Sequence, residues 1–132
     1  MNTINIDDFS RVEIRIGTVL EANIVPDADR LIQLIFDFGP LTEENHDDVE
    51  HLPELLEKYP DRDARQIMSA IRPFIPDPSI LVGKQIAVCV NLEPRTFRGY
   101  VSQGMILATG EDAETLSFLV PEKKVEPGSK IH

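Results

Sequence analysis

The stretch at residues 91–105, NLEPRTFRGYVSQGM, sets Asn91, Glu93, Arg95, Arg98, Ser102 and Gln103 between two apolar runs. A guanidinium offers a planar fork of donors matched to phosphate oxygens, so Arg95 and Arg98 suit contact with a phosphodiester backbone. Short polar side chains such as Asn91 and Ser102 can hydrogen-bond nucleic acid, but they can equally cap a turn or satisfy a backbone group. Arg30 and Lys84 extend the positive rim if their segments lie alongside; otherwise they are surface charges.

No comparable set assembles for catalysis. The only histidine outside residues 41–63 is His132. There is no glycine-rich phosphate loop, and no Ser/His/Asp group suggests itself. The expectation is a binding protein rather than an enzyme, with no cofactor. His46, Asp47, Asp48, Glu50 and His51 carry metal-ligating groups, but the two histidines stand five apart and no cysteine is near. Zinc held on a helix needs ligands one turn apart plus a further fixed one, so a solvated acidic face is expected here and no metal site.

The chain has 132 residues, 42% of them hydrophobic, and a net charge of −10. That length suits one compact core, and the apolar content is enough to pack it. Acidity as such argues against a polyanionic partner, but the charge is uneven. Residues 41–63 hold nine acids against two bases, a balance of −7, which leaves 14 acids and 11 bases, −3, for the remainder. No apolar run approaches the roughly 20 residues of a membrane span. The N-terminus lacks a basic stretch followed by an apolar one, so no secretory signal is read. A cytoplasmic protein without membrane contact is expected. Cys89 lies in the apolar run QIAVCVNL, where a buried small side chain is expected rather than a reactive thiol.

The elements that must position the arginines read mostly as strands. Residues 11–25 alternate Val12, Ile14 and Ile16 against Glu13 and Arg15, a half-buried strand, and Gly17 within it predicts a bulge or bend. Residues 31–38, 65–71, 85–92 and 105–109 predict four more. In the acidic segment Val49, Leu52, Leu55, Leu56 and Tyr59 recur at helical spacing, with Pro53 fitting the first turn of one short helix that ends before Pro60. Residues 73–82, with three prolines, allow a helical turn at most. Five strands, the first bent, with a helical turn between the third and fourth, match an all-β, five-stranded OB-fold barrel.

The segment VGKQIAVCVNLEPRTFRGYVSQGMILATG resembles the tRNA-binding domain at the C-terminus of many bacterial methionyl-tRNA synthetases. The same domain occurs as free-standing tRNA-binding proteins, in synthetase-associated cofactors and in CsaA-type secretion chaperones. DFSRVEIRIGTVLEANIVPDADRL is similar to the family's opening pattern, and RQIMSAI to its third strand. The likeness covers residues 7–38, 65–110 and, more loosely, the tail. It implies one domain over residues 1–132, with residues 41–64 as an acidic insertion and 111–132 as a C-terminal extension. It also implies a homodimer contacting through that extension and the N-terminal segment. On its tRNA-contacting positions fall Asn91, Ser102 and Met105. Three departures stand out. Glu93 occupies a position where the family usually has lysine, Ala70 one where glycine is common, and the insertion is longer than the usual connection.

Two functions follow from the resemblance. One is non-catalytic tRNA binding by shape, with Arg95 and Arg98 on phosphates. The other, favoured by the acidity and by Glu93, is a CsaA-like homodimer that holds unfolded or pre-secretory polypeptides in an apolar groove near Phe97, Tyr100 and Met105. A third use, docking of a partner on the acidic helix, competes with Leu52, Leu55 and Leu56 simply covering the open end of the barrel.

Overall fold

The computed structural model describes residues 1–132, apart from the side chains of Asp47 and Asp48. Those two members of the acidic group therefore lie outside the described residues. A short helix α1 (Ile6–Ser10) leads into strands β1 (Ile14–Ile24), β2 (Ile32–Pro40), β3 (Arg62–Ser69) and β4 (Gln85–Cys89). A hairpin of β5 (Arg95–Phe97) and β6 (Tyr100–Ser102) follows, then β7 (Met105–Ile106), β8 (Ala108–Thr109) and β9 (Ser117–Phe118). Five of these form one antiparallel sheet in the order β3-β2-β1-β4-β7. Two 3₁₀ turns, Arg72–Phe74 and Pro78–Leu81, occupy the connection from β3 to β4, where a helical turn is expected.

The sheet curls until its ends meet. The Gln103 N–H donates to the Gln66 carbonyl at 2.8 Å, and the Gln103 Oε1 accepts from the Gln66 N–H at 3.1 Å. Ser102 Oγ accepts from the Met68 N–H at 3.0 Å. The last residue of β6 and the residue after it thus complete the ladder that β3 would otherwise leave open, giving an OB-like barrel. Its interior holds Ile32, Leu34, Phe36, Ile67, Ile86 and Val88, all fully buried. Cys89 is buried as the apolar run suggests.

β1 coils between partners. Its first half, Ile14 to Thr18, pairs with β4, and its second half, from Thr18 on, pairs with β2. The edge freed on the first half is taken by the tail: the Ile16 N–H donates to the Ser129 carbonyl at 2.9 Å, and the Ile131 N–H to the Ile14 carbonyl at 2.9 Å. The register slips between Val19 and Glu21, not at Gly17. Leu20 and Glu21 consequently both face outward, Leu20 in a small outer cluster and Glu21 on Tyr59, while Val19 and Ala22 belong to the core. Gly17 has a different reason. A Cβ there would lie 2.7 Å from both Phe36 and Phe38, whose rings stack 5.7 Å apart over the strand.

The acidic segment contains two helices, α2 (Glu43–Asp48) and α3 (Pro53–Lys58), rather than one. Thr42 and Asn45 form a reciprocal capping box that starts α2. Pro53 opens α3 as the sequence suggests. Val49 is extended and separates the two helices, so the apparent helical spacing spans a break. Leu52, Leu55 and Tyr59 pack onto Leu20, Ile35 and Ala64. They cover the outer face of β1–β3 rather than the open end of the barrel.

That end is closed by charge. Arg65 extends over the Phe38 ring, 5.3 Å from its centroid, and grips Asp63 through two bonds of 3.0 Å. His51 Nε2 lies 2.7 Å from the same carboxylate. His51, Asp63 and Arg65 are 8%, 3% and 6% exposed, so His51 belongs to a buried network and not to a solvated face. His46 has its ring 6.4 Å from that of His51. Among the described residues no group of three His, Cys, Asp or Glu side chains could hold a metal ion.

Candidate nucleic-acid interface

The residues singled out in NLEPRTFRGYVSQGM divide into two groups. Asn91, Ser102 and Gln103 are committed to the protein itself. The Asn91 amide accepts from the Glu13 N–H at 2.8 Å and donates to the Arg11 carbonyl at 2.7 Å, pinning the N-terminal segment to the end of β4. Ser102 is 4% exposed; its hydroxyl accepts from Met68 and donates to the Gly104 carbonyl at 3.1 Å. Gln103 holds β3 and also donates to the Glu50 carbonyl at 2.7 Å, which ties the insertion to this segment. Gly104 is required by crowding, since a Cβ would sit 2.7 Å from the Cys89 carbonyl oxygen.

The second group faces outward. Arg95 is exposed at the base of the β5–β6 hairpin, opposite Ser102. It reaches over Phe97, its guanidinium carbon 5.0 Å from the ring centroid. Arg98 stands at the hairpin tip with φ +52, followed by Gly99 at φ +83. Two successive positive φ values are the two-residue turn that suits the twist of a hairpin and ordinarily selects Asn-Gly. Arginine there carries a conformational cost, and such outliers gather at functional positions. Among the described residues neither arginine has an ion pair.

Beside the hairpin runs a groove of about 600 Å³ lined by Met68, Leu92, Pro94, Phe97 and Met105, with Glu93 and Arg95 on it. Leu92 and Met105 are 47% and 51% exposed. Tyr100 does not share it. Its ring packs with Val25, Ala28 and Met68 and lines a separate cleft toward α3. Arg30 lies in the β1–β2 turn, whose Val25, Ala28 and Leu31 belong to that same cluster, so it flanks the hairpin. Lys84 precedes β4 at the end away from Asn91; it is exposed and stands apart from the group.

The outer face of β2–β3, which OB-folds commonly present to nucleic acid, is largely occupied here. α3 covers one part of it, and Asn23, Gln33 and Gln66 chain their amides across another. Glu21 joins α3 to this face. Burial pushes its carboxyl up, but hydrogen bonds from Tyr59 and Lys58 outweigh that and hold it below its usual value. Burial, the bond to Glu21 and the Glu21 charge push the Tyr59 hydroxyl up to about 12. The β5–β6 hairpin carries exposed arginines, and the groove beside it is open. Sequence reasoning missed the barrel-closing role of Ser102, because nothing local marks which strand lies across from it.

Known proteins share this framework. Residues 41–130 match the family described as "Putative tRNA binding domain". The chain is 40% identical over 128 residues to the methionine–tRNA ligase of Parabacteroides distasonis, an alignment covering 97% of this chain and 16% of the ligase. It thus spans about one sixth of the length of the curated relatives it matches. The MetRS-related protein from Pyrococcus horikoshii superposes with a TM-score of 0.76 at 26% identity, covering 100% of both chains. The chaperone CsaA from Bacillus anthracis does so at 0.71 and 26%, covering 99% of this chain and 100% of that one. The chain belongs to the tRNA-binding domain family.

Proposed function

We propose that this protein is a non-catalytic tRNA-binding module that engages the RNA backbone through the β5–β6 hairpin. The observation that carries this is the pair Arg95 and Arg98, exposed and unpaired among the described residues, with Arg98 held in a backbone conformation that arginine rarely adopts. Two forks on one protruding hairpin suit successive phosphates of a tRNA read by shape. Asn91 and Ser102 support the rim from within, and Met105 offers an apolar surface for a sugar or base. Arg30 adds charge at the flank. Like the ligase, the whole protein in which such a module works can be an enzyme.

The test is binding of bulk tRNA by the native chain and by Arg95→Gln/Arg98→Gln, measured across a salt series. Loss of two phosphate contacts should weaken binding about tenfold or more at low salt and reduce the log–log salt slope by about 2. Absence of any tRNA binding by the native chain at low salt would sink the reading.

The groove itself favours a second reading, capture of unfolded polypeptide, because exposed Leu92 and Met105 flank the partly buried Phe97 along it. Peptide binding that survives salt sufficient to release RNA would support it. Self-association is proposed on a different surface. α1 has no buried residue; Ile6 and Phe9 are 73% and 49% exposed, and Val120 in the tail is 59% exposed. Light scattering that returns a monomer at micromolar concentration removes the dimer. A cytoplasmic setting accords with RNA as ligand, and among the described residues no helix is long and apolar enough to cross a membrane.

A further inference from the structure

We propose that the cleft between α3 and the β5–β6 hairpin is a nucleobase pocket that takes an unstacked base bearing an exocyclic amine. The inference rests on the RNA-binding reading above and assigns a second contact beyond the phosphates.

The cleft has a volume of about 380 Å³, within the range of small-ligand sites. One wall is the hairpin, with Gly99, Tyr100 and Val101; the other is α3 and the residue before it, with Leu52, Leu55 and Lys58. The floor is the outer face of β2 and β3, where Gln33 and Gln66 stand side by side. Gln33 accepts from Asn23 at 3.3 Å and donates to Gln66 at 2.7 Å. Gln66, 5% exposed, donates onward to the Val101 carbonyl at 2.9 Å. An amide has two N–H donors and two acceptor positions. Among the described residues Gln33 therefore keeps one of each on adjacent atoms, the pattern that pairs in bidentate fashion with the edge of a base. Its orientation is fixed by the amide chain, so little entropy is lost when a ligand docks.

Charge decides the class of ligand. Glu21 and Glu54 line the cleft against a single cation, Lys58, which is itself 2.9 Å from Glu21. Two carboxylates repel a phosphate but accept from an amine, as they do from the exocyclic amine of cytosine. Uracil would present a carbonyl to them instead. The partly buried Tyr100 ring and the α3 leucines supply flat and apolar walls for stacking. The phosphate of the same nucleotide then falls outside, where Arg98 precedes Gly99 at the rim. Adenine and cytosine from a single-stranded part of the RNA meet these conditions, because each presents its amine beside a ring-nitrogen acceptor that matches the free acceptor and donor of Gln33, whereas the guanine amine stands beside an N–H donor.

The experiment compares oligoadenylate, oligocytidylate and oligouridylate binding to the native chain and to Gln33→Met, by fluorescence anisotropy. The native chain should prefer the first two by about tenfold or more, and Gln33→Met should bring all three to the oligouridylate level with an unchanged salt slope. Titration of the native chain with adenosine or uridine monophosphate, read at the Gln33 and Gln66 side-chain amide resonances, needs no variant to fold. Adenosine monophosphate should shift those signals and uridine monophosphate should leave them. Equal affinity for the three oligomers together with unmoved amide signals overturns the pocket while leaving the phosphate contacts intact. No binding of any RNA, with amide shifts on adenosine monophosphate, would remove the tRNA reading but keep the pocket.

Discussion

Two excursions leave the barrel, residues 41–61 between β2 and β3 and residues 91–104 between β4 and β7, and they use charge in opposite ways. The first is strongly acidic, yet several of its polar groups are tied to the barrel. His51 meets the buried Asp63 of β3, and Tyr59 and Lys58 hold Glu21 of β1. The second keeps its uncharged polar groups inside, with Asn91, Ser102 and Gln103 on backbone partners, and leaves two guanidiniums in solvent. Sequence charge therefore misleads about surface chemistry. The segment with most ionisable groups acts partly as a latch, and the mildly charged one offers the free cations.

The two roles can be pulled apart, beginning with the deepest contact. Asp63→Asn keeps the shape but leaves Arg65 as a buried cation without its counter-charge, so unfolding in urea should show a loss of about 3–5 kcal/mol. A loss below about 1 kcal/mol would mean that the network is open to water. Leu55→Ala empties a site that is 5% exposed beneath α3 and should cost about 2–3 kcal/mol. RNA binding through the hairpin should persist in this variant, provided measurement is made well below its unfolding midpoint.

The Tyr59–Glu21 contact predicts a pH dependence with a defined sign. The folded hydroxyl titrates near about 12, above the roughly 10 of an unfolded tyrosine. Its contribution to stability is whole below about pH 10 and is lost as pH rises through about 12. Glu21, held below its ordinary value, contributes above that value and loses its share as pH falls through the acid range. Tyr59→Phe should flatten the alkaline limb of stability against pH; an unchanged limb would show that the hydroxyl titrates normally.

The smallest effect separates binding from folding at the hairpin. Arg98→Asn places a residue suited to positive φ before Gly99 and should raise stability by about 0.5–1 kcal/mol, while weakening tRNA binding. Unchanged or tighter tRNA binding in this variant would argue that the turn carries no phosphate contact.

Much of the barrel was legible in advance because each strand alternates or runs apolar over its own length. The succession of the main strands along the chain, the helical turn before β4 and the start of α3 at Pro53 follow from local pattern and proline chemistry. The bulge was not placed correctly. Glycine suggested a bulge or bend at residue 17; the strand changes partners beside it, at Thr18, but the register slips at Leu20, where no glycine marks it. The second helix was hidden because Val49 sits at helical spacing while its backbone is extended. Within the candidate site, residue type alone nominates Arg95 and Arg98, and the structure leaves both exposed. Ser102 and Asn91 look the same in sequence whether they meet a ligand or the protein, and only their long-range partners, Met68 and Glu13, distinguish the two.

The sequence by itself determined a small β-barrel of recognisable family, an acidic segment and a pair of phosphate-suited arginines, because hydrophobic period, turn chemistry and formal charge are local properties. Tertiary structure alone decided which polar groups remain available. A hydrogen bond between residues 30 or more positions apart, such as Gln66 with Gln103, forms only once the chain has closed on itself, and an amide or hydroxyl already satisfied there has little left to offer a ligand.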